Sequence, residues 1–431
     1  MLPAAWAARH HPLSMDIAIV GAGIAGIATA YELAQDGHTV TVYEQHNAAA
    51  EGASFANAGW LSPTLLQPWS TPGWTPGGTG QTLVQAAGPW LGQNWRWLRR
   101  WKTAERSAHK TGLLTTTASA LEQLSAFSQQ LRHEISAAHE LSTESHQSHL
   151  VLLRSAKEVQ AMQPLLAALA EMDVSAQLLD AAAARAAEPG LSPEATLAGA
   201  LQLSEGETIN CRQWTQQLRQ LAMHSGVRLQ PHTTIRSVQS VGKQVHLLQE
   251  GDNAAHLHDA VVLCTGANPD LLAASGLRLP MMPLHGYSIS APLREPTHAP
   301  RAAALDWGQQ LVISRIGQRI RISGGAELGT APEAHNQATL TRMYEALNDW
   351  YPGAAQLSSP QVQIWRGTRG VMPDGAPLLG RGSQPQIWLN LAHGAHGASL
   401  ANGCARILAD QIAGRAVPQE VQALSPMRFS S

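Results

Sequence analysis

The chain has 431 residues, 44% hydrophobic and 14% charged, with a formal net charge of -2 at pH 7. Those values describe a folded protein of two or three domains with a near-neutral surface, and they argue against a disordered chain or a nucleic-acid partner. The three cysteines, Cys211, Cys264 and Cys404, are widely spaced without a Cys-x-x-Cys pair, so neither a disulfide framework nor a metal site is expected, and a reducing cytoplasm is the default location.

Residues 1–14 hold Pro3, Arg9, His10, His11 and Pro12 and lack the apolar run of a secretory signal; they read as a disordered or mis-assigned extension, with Met15 a candidate start. Beyond Met15 no stretch approaches the roughly 20 apolar residues of a membrane span. Asp16–Val20 reads as a buried strand and runs into Gly21-Ala22-Gly23-Ile24-Ala25-Gly26. A helix follows, Gly37 ends it, and a second strand leads to Glu44. This is the dinucleotide unit in order: Gly21 for the tight turn, Gly23 for close approach to pyrophosphate, Gly26 for helix packing, and Glu44 for ribose hydroxyls. Spacing alone does not separate FAD from NAD. No second such unit and no cysteine pair follow, which counts against reductases that carry both cofactors.

Residues 53–80, rich in Gly, Pro, Ser and Asn, form a loop expected beside the cofactor. Residues 95–102 are aromatic and basic; they read first as a domain-packing helix and second as a contact with an anionic membrane surface. Helices are expected over 113–141, 181–187 and 214–225, and short strands over 227–229, 234–238 and 245–249. A buried strand at 260–264 then delivers Thr265-Gly266 to a turn, a second wall of the dinucleotide site. Residues 287–291, 311–315 and 319–323 read as antiparallel strands, 334–350 as a covering helix, and 387–390 and 399–412 as a last strand and helix.

The expected fold is therefore α/β: a Rossmann-like FAD-binding domain, discontinuous in sequence (15–90, 190–280 and 366–425), with an α+β substrate domain on a mostly antiparallel sheet (91–189 and 281–365). Several ordered segments resemble the glycine oxidase and D-amino acid oxidase superfamily, and within it the small-subunit type of bacterial D-amino acid dehydrogenase. They include Ala56-Asn57-Ala58-Gly59 with Leu61-Ser62-Pro63, Pro283 with Gly286-Tyr287, and Trp365, Gly367 and Arg369 with Pro373-Asp374-Gly375-Ala376-Pro377. Asn390, His393-Gly394 and Gly397 complete the set. The chain departs from that pattern at Thr368 and Gly370, where Leu and Pro are usual, at His285, where Lys is frequent, and in the additional His396.

The resemblance implies FAD, held by Gly21, Gly23, Gly26 and Glu44, with Ser54, Asn57, Ala58 and Gly59 beside the flavin and Gly375 and the turn of His393, Gly394, His396 and Gly397 closing the site. The helix beginning near Gly397 would aim its N-terminal partial charge at the flavin. It also implies hydride transfer from a small amino acid, a D-amino acid such as D-alanine foremost, to flavin N5, yielding a 2-oxo acid and ammonia. Arg369 is the candidate cation for the substrate carboxylate and Tyr287 a candidate hydroxyl donor. Electrons are expected to pass to a quinone or other carrier, with oxygen the competing acceptor and peripheral attachment to the inner membrane face or a partner subunit as further contacts. Glycine, sarcosine, proline and hydroxyproline are alternative substrates; a non-catalytic FAD-binding subunit of a larger complex is the alternative of another class.

Overall fold

The structure, a computed structural model, describes residues 14–62, 84–85, 95–97, 99–103, 116–252, 254–328 and 334–429. The expectations for the N-terminal extension before Ser14, and for the loop residues from Pro63 to Gly80, lie outside the described residues.

Two sheets organise the chain. The first runs Leu378–Arg381, Ile387–Leu391, Ala260–Leu263, Asp16–Val20, Thr39–Tyr43, Arg228–Gln230, with all neighbours parallel except the first pair. Its central strands are continuous apolar runs because both faces are covered. Side chains alternate across the sheet. Ile17 and Ile19 pack with Ile27, Trp214, Leu400 and Leu408 of the helices Ile24–Gln35, Cys211–His224 and Gly397–Ile412. Ala18 and Val20 instead join Val238 and Leu247 of a three-stranded antiparallel sheet, Ile235–Val241, Gln244–Gln249 and Ala255–His258.

The second sheet has ten strands, with the main path Gln363–Val371, Met282–Pro292, Arg319–Leu328, Leu311–Ile316, Ala303–Asp306, His146–Leu153, Gly199–Thr208, Trp60–Leu61. It is antiparallel except where Ala303–Asp306 pairs with His146–Leu153 and Val84–Gln85 with Arg319–Leu328. The helix Gln337–Trp350 covers one face, burying Leu340, Met343 and Leu347 with Ile289, Ile320 and Ile322. Seven of these strands are not evident in the sequence: Trp60–Leu61, Val84–Gln85, His146–Leu153, Ala176–Asp180, Gly199–Thr208, Ala303–Asp306 and Gln363–Val371. Gly199–Thr208 carries Gly206, Glu205 and Glu207, poor strand formers, and is held by pairing on both sides rather than by propensity. It lies within the stretch expected in the nucleotide domain but pairs in the large sheet, while the helix Thr116–Ala138, from the stretch expected in the substrate domain, packs in the nucleotide-sheet core.

A buried ionic cluster joins the first and last long helices. Arg406 donates to Glu32 at 2.7 Å, to Asp410 at 3.0 Å and to Asp36, and Arg415 bridges Asp36 and Asp410. Burial raises the pKa of Asp36, but hydrogen bonds and charge from Arg406 and Arg415 outweigh it and leave the carboxyl below its ordinary 3.8. The stabilisation from this group is complete above that unfolded value and fades as pH falls through the lower folded one. Replacing Arg406 with Ala strands buried carboxylates, so the unfolding free energy in urea at pH 7 should drop by about 3–5 kcal/mol; a drop below 1 kcal/mol would show that the acids re-pair or hydrate.

Candidate cofactor and substrate site

A cavity of about 600 Å³ opens between the two sheets. On the nucleotide side it is lined by Gly21, Gly23, Ile24, Glu44, Ser54, Thr265 and Gly266. Gly21 has φ +105°, and a Cβ there would stand 2.5 Å from the Cys264 carbonyl oxygen; a Cβ on Gly26 would stand 1.9 Å from the Gly21 carbonyl oxygen. The turn and the helix thus fit only without side chains. At Gly23 the protein leaves room, the nearest atom being Ser54 Oγ at 3.5 Å, so the space is open to a ligand.

The acidic residue is tied to this turn. Ala22 N–H donates to Glu44 Oε2 at 2.6 Å and His46 N–H donates to Oε1 at 2.9 Å, which leaves each oxygen a further lone pair for a ribose hydroxyl. Ser54 Oγ accepts from Ile24 N–H at 3.0 Å, capping the helix that faces the cavity. Thr265 Oγ1 is buried in the wall without a partner among the described residues, a donor that a bound polar group would satisfy. Glycine cradle, free acidic lone pairs, helix N-terminus and orphan hydroxyl together fit a dinucleotide.

The loop carrying Asn57, Ala58 and Gly59 is pinned to the large sheet. Arg321 donates to the Asn57 carbonyl at 2.8 Å and to Ser290 Oγ at 2.7 Å, and Ser314 Oγ donates to the Ala58 carbonyl at 2.8 Å. Gly59 has φ +66°, with its Cα so near Ile209 that a Cβ would lie 2.2 Å from that carbonyl oxygen.

From the large sheet, Trp365, Gly367 and Arg369 project from one strand at alternate positions, toward the same face. A Cβ on Gly367 would lie 1.8 Å from the Trp365 ring, so the indole lies across the bare glycine. Across the ladder Gly286 faces Gly367, and a Cβ on Gly286 would come within 3.0 Å of Arg369 Nη2. One glycine therefore clears space for the Trp365 indole and the other for the Arg369 guanidinium. Its guanidinium donates to the Gly325 carbonyl at 3.3 Å and forms no ion pair among the described residues; desolvation lowers its pKa to about 10, so it stays charged at neutral pH.

Several expected groups are placed differently. Tyr287 lines the cavity, but its hydroxyl donates to Glu327 at 2.9 Å and accepts from Asn336 N–H at 3.1 Å, so it is committed within the wall. Gly375, at φ +78°, shapes the turn after Met372 and is not among the residues lining the cavity. His396 also lies behind the wall; burial first, then the charge of Arg369, takes its pKa to about 3. His393, Gly394 and Gly397 do line the cavity, the last opening the helix Gly397–Ile412. The departures Thr368 and His285 turn out to be partners, hydrogen-bonded at 2.8 Å across the ladder. Trp365, Gly286, Asn390 and Thr29 have no site role legible in the sequence; the first three stand in segments that carry the family resemblance, and Thr29 has no signal beyond a helical core position.

Changing Gly21 to Ala forces a methyl against the Cys264 carbonyl at a φ that L-residues avoid. The purified variant should lose most of its bound dinucleotide, read as the ratio of flavin to protein absorbance, and an undiminished ratio would refute the cradle.

Residues 16–411 match the family described as FAD dependent oxidoreductase (DAO). A D-amino acid dehydrogenase of Cereibacter sphaeroides is 34% identical over 428 residues, covering 97% of this chain and 96% of its own. One of Rhodopseudomonas palustris is 32% identical over 431 residues, covering 97% and 98%. Among solved structures, glycine oxidase from Geobacillus kaustophilus matches with a TM-score of 0.75 at 20% identity, over 96% of this chain and 99% of that one. L-proline dehydrogenase from P. horikoshii matches at 0.70 and 16%, over 97% and 98%. The family, fold class and cofactor expected from the sequence are borne out, and the chain belongs to the DAO family of FAD-dependent oxidoreductases.

Proposed function

We propose that the chain oxidatively deaminates a D-amino acid, D-alanine being the first substrate to test. The α carbon gives up its hydrogen as a hydride and the amine nitrogen loses a proton, so that the bond between them becomes C=N, and the resulting imine takes up water to give a 2-oxo acid and ammonia. Bound FAD supplies the hydride acceptor for this chemistry. The observation that carries the reading is Arg369, a charged guanidinium in the cavity wall with no ion pair among the described residues. It would grip a substrate carboxylate through parallel hydrogen bonds and so fix the α carbon. The relatives named D-amino acid dehydrogenase support this substrate class. The electrons go on to a quinone or another carrier. A non-catalytic scaffold would have no use for such a cation.

Arg369→Leu should keep its FAD yet lose at least tenfold in kcat/KM for D-alanine in a dye-reduction assay, since a charge-assisted contact contributes about 1.5–3 kcal/mol. Arg369→Lys should recover part of this. Near-original turnover by the Leu variant would place the carboxylate elsewhere.

The acceptor reading brings a membrane contact with it. No helix among the described residues is long and apolar enough to cross a membrane. Residues 95–97 and 99–103 are helical; Trp97 and Trp101 stack at 5.6 Å and are buried against Leu284, Leu328 and Val371, whereas Trp95, Arg96, Arg99, Arg100 and Lys102 are exposed. The contact we propose is therefore electrostatic, made by the exposed cations rather than by an aromatic face. Sedimentation with vesicles containing anionic lipid should be salt-sensitive and should weaken when Arg99 and Arg100 become Glu. Equal binding by both forms removes the contact from the proposal.

A further inference from the structure

The cavity wall contains a hydrogen-bond chain whose directions are fixed from one end. Thr29 Oγ1, fully buried in the first helix, donates its single proton to the Ala25 carbonyl at 2.7 Å, a far shorter contact than the weak one to Cys264 Sγ at 4.0 Å. The same oxygen can then only accept from Asn390, so the Asn390 amide nitrogen faces it, at 2.9 Å. That orientation turns Asn390 Oδ1 toward His393 Nε2, also at 2.9 Å, and an acceptor there demands a proton on Nε2. Neutral imidazole carries one proton, so Nδ1 is a bare lone pair. Nδ1 has no partner among the described residues, is not sealed in the interior, and belongs to a side chain that lines the same cavity as Arg369.

We propose that His393 Nδ1 is the hydrogen-bond acceptor for the amine of the substrate, so that Arg369 and His393 together hold the two ends of an amino acid. Thr29 and Asn390 are positioning residues that act through the imidazole tautomer. The inference rests on the deamination reading above. An acceptor suits this place because burial holds the imidazole neutral, with a pKa near 4, and a neutral ring does not repel a cationic amine as a protonated one would. A flavin N–H would be a donor of the same chemistry, and the two sources are separable by experiment.

The test uses the FAD-loaded full chain, with D-alanine as substrate and propionate as a carboxylate that lacks the amine. His393→Ala should raise KM for D-alanine about tenfold or more, while the inhibition constant of propionate and the flavin reduction potential stay at their original values. Thr29→Val removes the fixed end of the chain and lets Asn390 turn over; KM should rise by a smaller factor with FAD content unchanged, and Thr29→Ser, which keeps the hydroxyl, should restore it. An unchanged KM in His393→Ala overturns the proposal. So does a shifted flavin potential with unchanged KM, which would assign the lone pair to a flavin N–H. If the unmodified protein's flavin is reduced by no amino acid, the deamination reading fails first and this inference with it; reduction by D-alanine that is indifferent to His393 defeats the inference alone.

Discussion

Asp16–Val20 and Ile387–Leu391 run in the same direction on either side of Ala260–Leu263, and each leads into a helix that packs back along the same face of the sheet. Parallel strands so connected must deliver both helix N-termini to one carboxyl edge. There Gly23 and Ile24 from one, and Gly397 and Ala398 from the other, line the cavity. Each terminus brings unpaired N–H groups and a partial positive charge of about half a unit. Arg406, reaching from the second helix to Glu32 and Asp36 of the first, fixes how far one can slide along the other. The position of the cofactor floor thus depends on a contact made well away from it.

The site is a joint rather than a pocket within one domain. Its nucleotide half is a turn with no spare volume, and its substrate half is a patch of a sheet whose glycines leave room for one cation and one indole. What aligns the halves is the loop of Asn57 to Gly59, stitched to the large sheet by Arg321 and Ser314 and pressed against Ile209. Because these are backbone carbonyls accepting from side chains of another layer, the alignment is insensitive to the loop's own side chains.

Electrostatically the site holds a cation in the cavity wall, Arg369, and a second, Arg321, behind it. Arg369 and Arg321 are both lowered to about 10 by desolvation, neither has an ion pair among the described residues, and both remain charged at neutral pH. His393 and His396, held near 4 and 3 by burial, stay neutral and add no charge. A buried cation without a protein anion is costly to maintain. An anionic pyrophosphate and a substrate carboxylate are the groups that would neutralise such a wall, while the neutral imidazole leaves space for the substrate's own positive amine.

The sequence by itself determined the nucleotide unit, because its strand, glycine turn, helix and Glu44 are contiguous and each glycine answers a local steric demand that any L-side chain would violate. It also determined the family, through motif order, and the candidacy of Arg369. Tertiary structure alone decided the rest. Most of the large sheet is invisible locally since strands such as Gly199–Thr208 exist by pairing with partners far along the chain. The commitment of the Tyr287 hydroxyl to Glu327, 40 residues away, could not be read from spacing. Nor could the tautomer of His393, which is set by Thr29 across 361 residues from Asn390, since a hydrogen bond's direction is a property of atoms in contact and not of residues in sequence.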